Sequence, residues 1–110
     1  MIGEKADLYS KNFIALCKSH KVRELYVFGS AVNGNFTDES DLDVLVELNE
    51  SDPLTRGELL LSLWNELELY CHRKVDLLTF NSLRNPYLKE SINKTKKLIY
   101  DGSKEEVVEK

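Results

Sequence analysis

Three acidic residues stand where an apolar strand would be expected to bury valine or isoleucine. Asp41 and Asp43 bracket Leu42 at the entrance of the run LDVLVEL (Leu42–Leu48), and Asp76 interrupts KVDLLTF (Lys74–Phe80). Side chains alternate along a strand, so Asp41 and Asp43 point to one face, ~6–7 Å apart at ~3.3 Å per residue, while Leu42 and Val44 point the other way. If the third strand lies beside the second, Asp76 joins them. Two like charges ~4 Å apart repel by ~1 kcal/mol in water and ~4 kcal/mol at an effective dielectric of ~20. A hard divalent cation reverses the sign of that term, and a site built of oxygens suits Mg²⁺ or Mn²⁺. A bare DxD is explained equally well by solvated residues at a strand entrance, with Asp76 as an edge-strand gatekeeper.

Gly29-Ser30 directly follows the short β-branched and aromatic run ELYVF (Glu24–Phe28) and can open a short helix, Ser30–Val32. Glycine lets a backbone approach a ligand closely, and backbone N–H groups at a strand-to-helix turn, with a hydroxyl beside them, favour phosphate oxygens. Alone, Gly-Ser reads as a plain tight turn. The combination of a strand, a Gly-Ser turn, ten residues, an acidic pair on the next strand and one acid on a third is far more restrictive. Its spacing matches no P-loop, Rossmann turn or EF-hand.

Several elements must position these groups. Ala6, Tyr9, Phe13, Leu16, Cys17 and His20 recur at helical steps over residues 4 to 20, with His20 read as a helix-end residue and not a metal ligand. NGNFTDES (Asn33–Ser40) is loop chemistry. Asp52 ahead of Pro53 is a helix cap, and Leu60, Leu63, Trp64, Leu67, Tyr70 and Cys71 form one face of a helix over Leu54 to Cys71. On that face Trp64 reads as a core anchor and not a base-stacking platform. Asn81 to Lys94 is expected to be another helix, with Ser82 as its cap and Pro86 in its first turn. KLIYDG (Lys97–Gly102) reads as a fourth strand, and residues 103–110 as a charged tail that frays. The order α-β-β-α-β-α-β predicts an α+β fold, an α/β sandwich with helices packed on a small mixed sheet of about four strands.

Residues 1–110 are expected to form a single domain, since the length is near the lower end of what supports a core without staples. The 42% apolar and 31% charged shares are those of a globular chain and exclude disorder. A net charge of -4 removes the basic footprint of a direct, strong nucleic-acid binder. No apolar run is long enough for a membrane span, and MIGEKADLYSK has no apolar signal core. Cys17 and Cys71, without a CxxC, read as buried reduced thiols, so a cytoplasmic protein is expected.

GS-x10-DLD followed by KVDLL resembles the minimal, antitoxin-type nucleotidyltransferases of the DNA polymerase beta-like superfamily, and the likeness runs from the first helix to IYDG. The resemblance implies the polymerase beta-like nucleotidyltransferase fold. It implies that Gly29 and Ser30 hold a triphosphate, with Ser40 counted among the nucleotide-binding residues. It further implies that Asp41 and Asp43 bridge two Mg²⁺ ions (Mn²⁺ is an alternative), while Asp76 completes the site of the ion nearer the attacking hydroxyl. ATP is the implied substrate, AMP the group moved to a hydroxyl on a partner, and a HEPN-type toxin the implied protein partner. Where many relatives carry arginines after the GS, this chain has Ala31, Val32 and Asn33; Arg56, Arg73 and Lys74 are the candidate substitutes. An alternative of another class is a non-catalytic partner or antitoxin subunit with a vestigial nucleotide site. A DxD site for nucleotide-sugar transfer would need a much larger domain.

Overall fold

A computed structural model describes residues 11–29, 41–104 and 106–107. The elements run α1 (Lys11–Ser19), β1 (Val22–Phe28), β2 (Leu42–Leu48), α2 (Pro53–Cys71), β3 (Val75–Leu78), a 3₁₀ turn (Phe80–Ser82), α3 (Pro86–Thr95), β4 (Lys97–Asp101) and β5 (Glu106–Val107). The strands form one mixed sheet in the order β3-β2-β1-β4-β5. β2 is antiparallel to β1 and parallel to β3, the change of direction being made by the α2 crossover. The α+β reading holds, with a two-residue fifth strand beyond the four expected. That strand comes from residues expected to fray: Glu106 and Val107 pair with Asp101 and Tyr100. The expected segments 4–10, Ser30–Val32 and Asn33–Ser40 lie outside the described residues.

β2 is apolar at nearly every position because both of its faces are covered. Leu42, Val44, Val46 and Leu48 pack with Phe13, Cys17, Leu63, Leu67 and Cys71 of α1 and α2. On the other face Leu45 packs with Leu83 and Ile92 beneath α3. Each long helix starts at a capped proline. Asp52 accepts hydrogen bonds from the backbone N–H and the hydroxyl of Thr55 (3.0 and 2.7 Å) ahead of Pro53. α2 ends at His72, whose left-handed backbone closes an N–H bond to the Glu68 carbonyl.

Two sequence expectations change here. The helix expected over Asn81–Lys94 begins only at Pro86. Its cap is Asn85, whose side-chain oxygen accepts from Tyr87 and Leu88 N–H at 2.9 and 3.3 Å. The Ser82 hydroxyl instead bonds back to Thr79, closing the 3₁₀ turn. Trp64 is not enclosed in the core: it is 39% exposed and stands at the flank of the sheet. His20 sits at the end of α1 as expected, buried, its ring nitrogens against the Leu16 carbonyl and the Ser62 hydroxyl.

Candidate active site

β1 ends beside the start of β2, and β2 starts beside the start of β3. Phe28 stands across from Asp43, and Asp43 across from Asp76, so the Gly29 turn and two of the three acids form one row at one end of the sheet. The adjacency inferred from connectivity is present. Because Leu42 and Val44 face α1 and α2, Asp43 and Asp76 lie on the opposite face, the one shared with Leu45 and Leu78. Asp41 is exposed, immediately before β2, and the backbone there is tied to β3 by the Leu42 N–H donating to the Lys74 carbonyl at 3.0 Å.

Gly29 has φ +70°, and a Cβ at that position would land on the Asp43 carboxylate. Only glycine combines that backbone with that approach. Burial pushes the Asp43 carboxyl above the usual carboxylate range; the charge of Asp76, a hydrogen bond with Asp76 and the charge of Asp41 all push the same way. A carboxylate held in company that opposes its charge is a place where a cation lowers the free energy. As the side chains stand, no three His, Cys, Asp or Glu among the described residues converge to hold a metal ion. The donor set already in contact is the Asp43–Asp76 pair, with Asp41 near enough to act on Asp43. This all-oxygen pair fits Mg²⁺ or Mn²⁺, which take few protein ligands and keep several waters.

Ser30 and Ser40 lie outside the described residues, as do Ala31, Val32 and Asn33. Of the candidate replacement cations, Lys74 directly precedes β3 at the acid end. Arg56 belongs to the far end, donating to the Glu50 carbonyl at 3.2 Å. A groove of about 500 Å³, lined by Leu54, Gly57, Leu61, Trp64 and Leu77, is separate from the acids: Leu77 faces α2, opposite to Asp76. Sequence patterning gave no sign of it, because it arises where α2 overhangs the sheet edge. No helix among the described residues is long and apolar enough to cross a membrane.

Comparison with known proteins follows the same lines. A family model described as "Polymerase beta, Nucleotidyltransferase" matches residues 11–105. A Methanocaldococcus jannaschii protein named "Putative protein adenylyltransferase MJ1379" is 37% identical over 99 residues, spanning 90% of this chain and 96% of that protein. Among solved structures, one described as a "putative minimal nucleotidyltransferase" superposes with a TM-score of 0.58 at 30% identity, over 79% of this chain and 85% of the other. Another, described as a toxin-antitoxin with AMP-PNP, superposes with a TM-score of 0.57 at 26% identity, over 81% and 70% of the two chains.

Proposed function

This chain belongs to the polymerase beta nucleotidyltransferase family, and from that premise we propose that it transfers AMP from ATP to a hydroxyl of a partner protein. A HEPN-type toxin is the proposed partner, which makes the chain its antitoxin, acting in the cytoplasm as one minimal domain. The activity in the name of the 37%-identical relative supports adenylyl transfer. The toxin-antitoxin pair with AMP-PNP supports a nucleotide and a protein partner. The observation that carries the proposal is the row Gly29–Asp43–Asp76, in which a carboxylate already crowded by like charge packs against a glycine whose missing side chain leaves room for it.

Asp41, Asp43 and Asp76 would hold the divalent cations, two Mg²⁺ in this proposal. Bound there, such ions neutralise phosphate charge and lower the pKa of the attacking hydroxyl. Gly29 lets the triphosphate approach the backbone, and Ser30 and Ser40 contact its oxygens. Asp76 orients the acceptor hydroxyl and takes its proton. The acceptor oxygen bonds to the α-phosphorus as the bond to the bridging oxygen breaks, and pyrophosphate leaves. The protein's contribution is mainly position and charge.

Incubation with α-labelled ATP, Mg²⁺ and the protein encoded beside it is expected to label that partner. Asp41→Ala and Asp43→Ala are expected to abolish the labelling. A second reading, a partner that neutralises by contact alone, is favoured by Ala31, Val32 and Asn33 standing where the family resemblance leads one to expect arginines. It requires unlabelled partner and neutralisation that survives both substitutions.

A further inference from the structure

β3 is the outer strand of the sheet and only four residues long, yet it must present Asp76 directly across from Asp43. A slip of one residue would turn Asp76 to the other face. On its inner side β3 has the β2 ladder. On its outer side no strand pairs with it among the described residues, and an edge strand's outward backbone groups need partners. α2 provides them. The Trp64 indole N–H donates to the Val75 carbonyl at 2.6 Å, and a Glu68 carboxylate oxygen accepts from the Val75 N–H at 2.9 Å. Trp64 and Glu68 are four residues apart, on one flank of the helix. Together they engage both backbone groups of the residue immediately before Asp76. On the inner side the Lys74 carbonyl is held by Leu42 N–H, so the backbone entering Asp76 is fixed from both directions.

We propose that Trp64 and Glu68 are positioning residues for Asp76: their side chains take the place of a missing sixth strand and fix the register that sets Asp76 against Asp43. This rests on the functional reading above. It also explains a tryptophan left at the sheet's flank, where the indole is needed for its N–H and not for enclosure.

Three substitutions separate positioning from general stability. Trp64→Phe keeps most of the ring and removes the donor. Glu68→Leu removes the acceptor, whereas Glu68→Gln keeps a side-chain oxygen that can still accept from Val75. Mn²⁺ affinity, measured without nucleotide by electron paramagnetic resonance, is expected to fall about tenfold in Trp64→Phe and Glu68→Leu, the usual effect of losing support behind a metal ligand. Glu68→Gln is expected to bind like the parent. The kcat of transfer should drop with Mn²⁺ affinity in Trp64→Phe and Glu68→Leu, and Glu68→Gln should keep both. Ile92→Val, which loosens the packing of α3 on Leu45 and Leu83 in a cluster that does not include Val75, controls for stability and is expected to leave Mn²⁺ affinity unchanged. Parent-like Mn²⁺ binding in Trp64→Phe and Glu68→Leu, or a loss equal to that in Ile92→Val, overturns the proposal. Should the parent bind no Mn²⁺, the functional reading itself falls. Amide exchange at Asp76, expected to quicken about tenfold in Trp64→Phe, then still decides whether the two side chains hold the strand.

Discussion

At Asp43 the folded chain surrounds a carboxylate with groups that favour its proton. Its folded pKa lies above the ordinary value of 3.8, so the folded state holds that proton more tightly than the unfolded one. The resulting stabilisation is fully present below the unfolded pKa and is lost as pH rises through the folded pKa; at neutral pH Asp43 is a net cost. Asp43→Asn is therefore expected to be more stable than the parent at pH 7 in chelator, by a margin that solvent screening of a partly exposed pair keeps small. The gain should vanish below pH ~4 and shrink when Mg²⁺ is added to both proteins. Urea midpoints at the two pH values measure it, and a parent more stable than the variant at pH 7 without metal would contradict the repulsion. Gly29→Ala should go the other way. The left-handed backbone costs an L-residue about 1–2 kcal/mol, and the new methyl would also displace the Asp43 carboxylate. A lower melting temperature together with lost transfer is the expected result. These residues were legible because their types contradict their surroundings: acids inside apolar runs and a Gly-Ser pair at a strand end. The crowding of Asp43 by Asp76 depends on a register between strands distant in sequence, which connectivity alone only suggested.

Elements were legible where local chemistry is decisive, and misread where two local signals compete. Asp52-Pro53 marked the start of α2 because the cap and the proline agree. Before α3 both Ser82 and Asn85 can cap. The structure chooses Asn85 because the residue before a proline avoids helical backbone; Asn85 has φ -78° and ψ 117°. Asn85→Ala removes an acceptor shared by two N–H groups and is expected to cost about 1 kcal/mol, read from the urea midpoint. The loss should leave Mn²⁺ affinity almost untouched, since α3 covers Leu45 and not the acids. Trp64 was misread for a related reason. α2 is apolar around much of its circumference, with Leu54, Leu61 and Leu69 exposed, so periodicity could not say which flank the sheet would cover. The sheet ends at β3, and Trp64 stands just where cover runs out.

For the whole molecule, the sequence order predicted a mixed sheet under helices, and the two cysteines were expected to be buried thiols. Cys17 and Cys71 are buried in the cluster that joins α1 and α2 to the sheet. Burial pushes the Cys17 thiol up to about 12 and the Cys71 thiol up to about 11, the latter opposed slightly by Arg73. The thiolate is the reactive form, so neither sulfur should react with a disulfide reagent at pH 8 while the fold is intact. Labelling then proceeds through opening of the core, and its rate follows the population of open molecules when closing outpaces reaction. A ligand that binds only the native state lowers that population by the factor 1 + [L]/Kd. Mg²⁺ with ATP should thus slow labelling of both cysteines together, in proportion to ATP above its Kd, although the thiols lie in the core beneath the opposite face from Asp43 and Asp76. Asp43→Asn and Asp76→Asn should label at rates that ATP no longer changes. Slowing that persists in both variants would place ATP elsewhere on the molecule. Protection of one cysteine without the other would mean that α1 and α2 open separately, each leaving the sheet on its own.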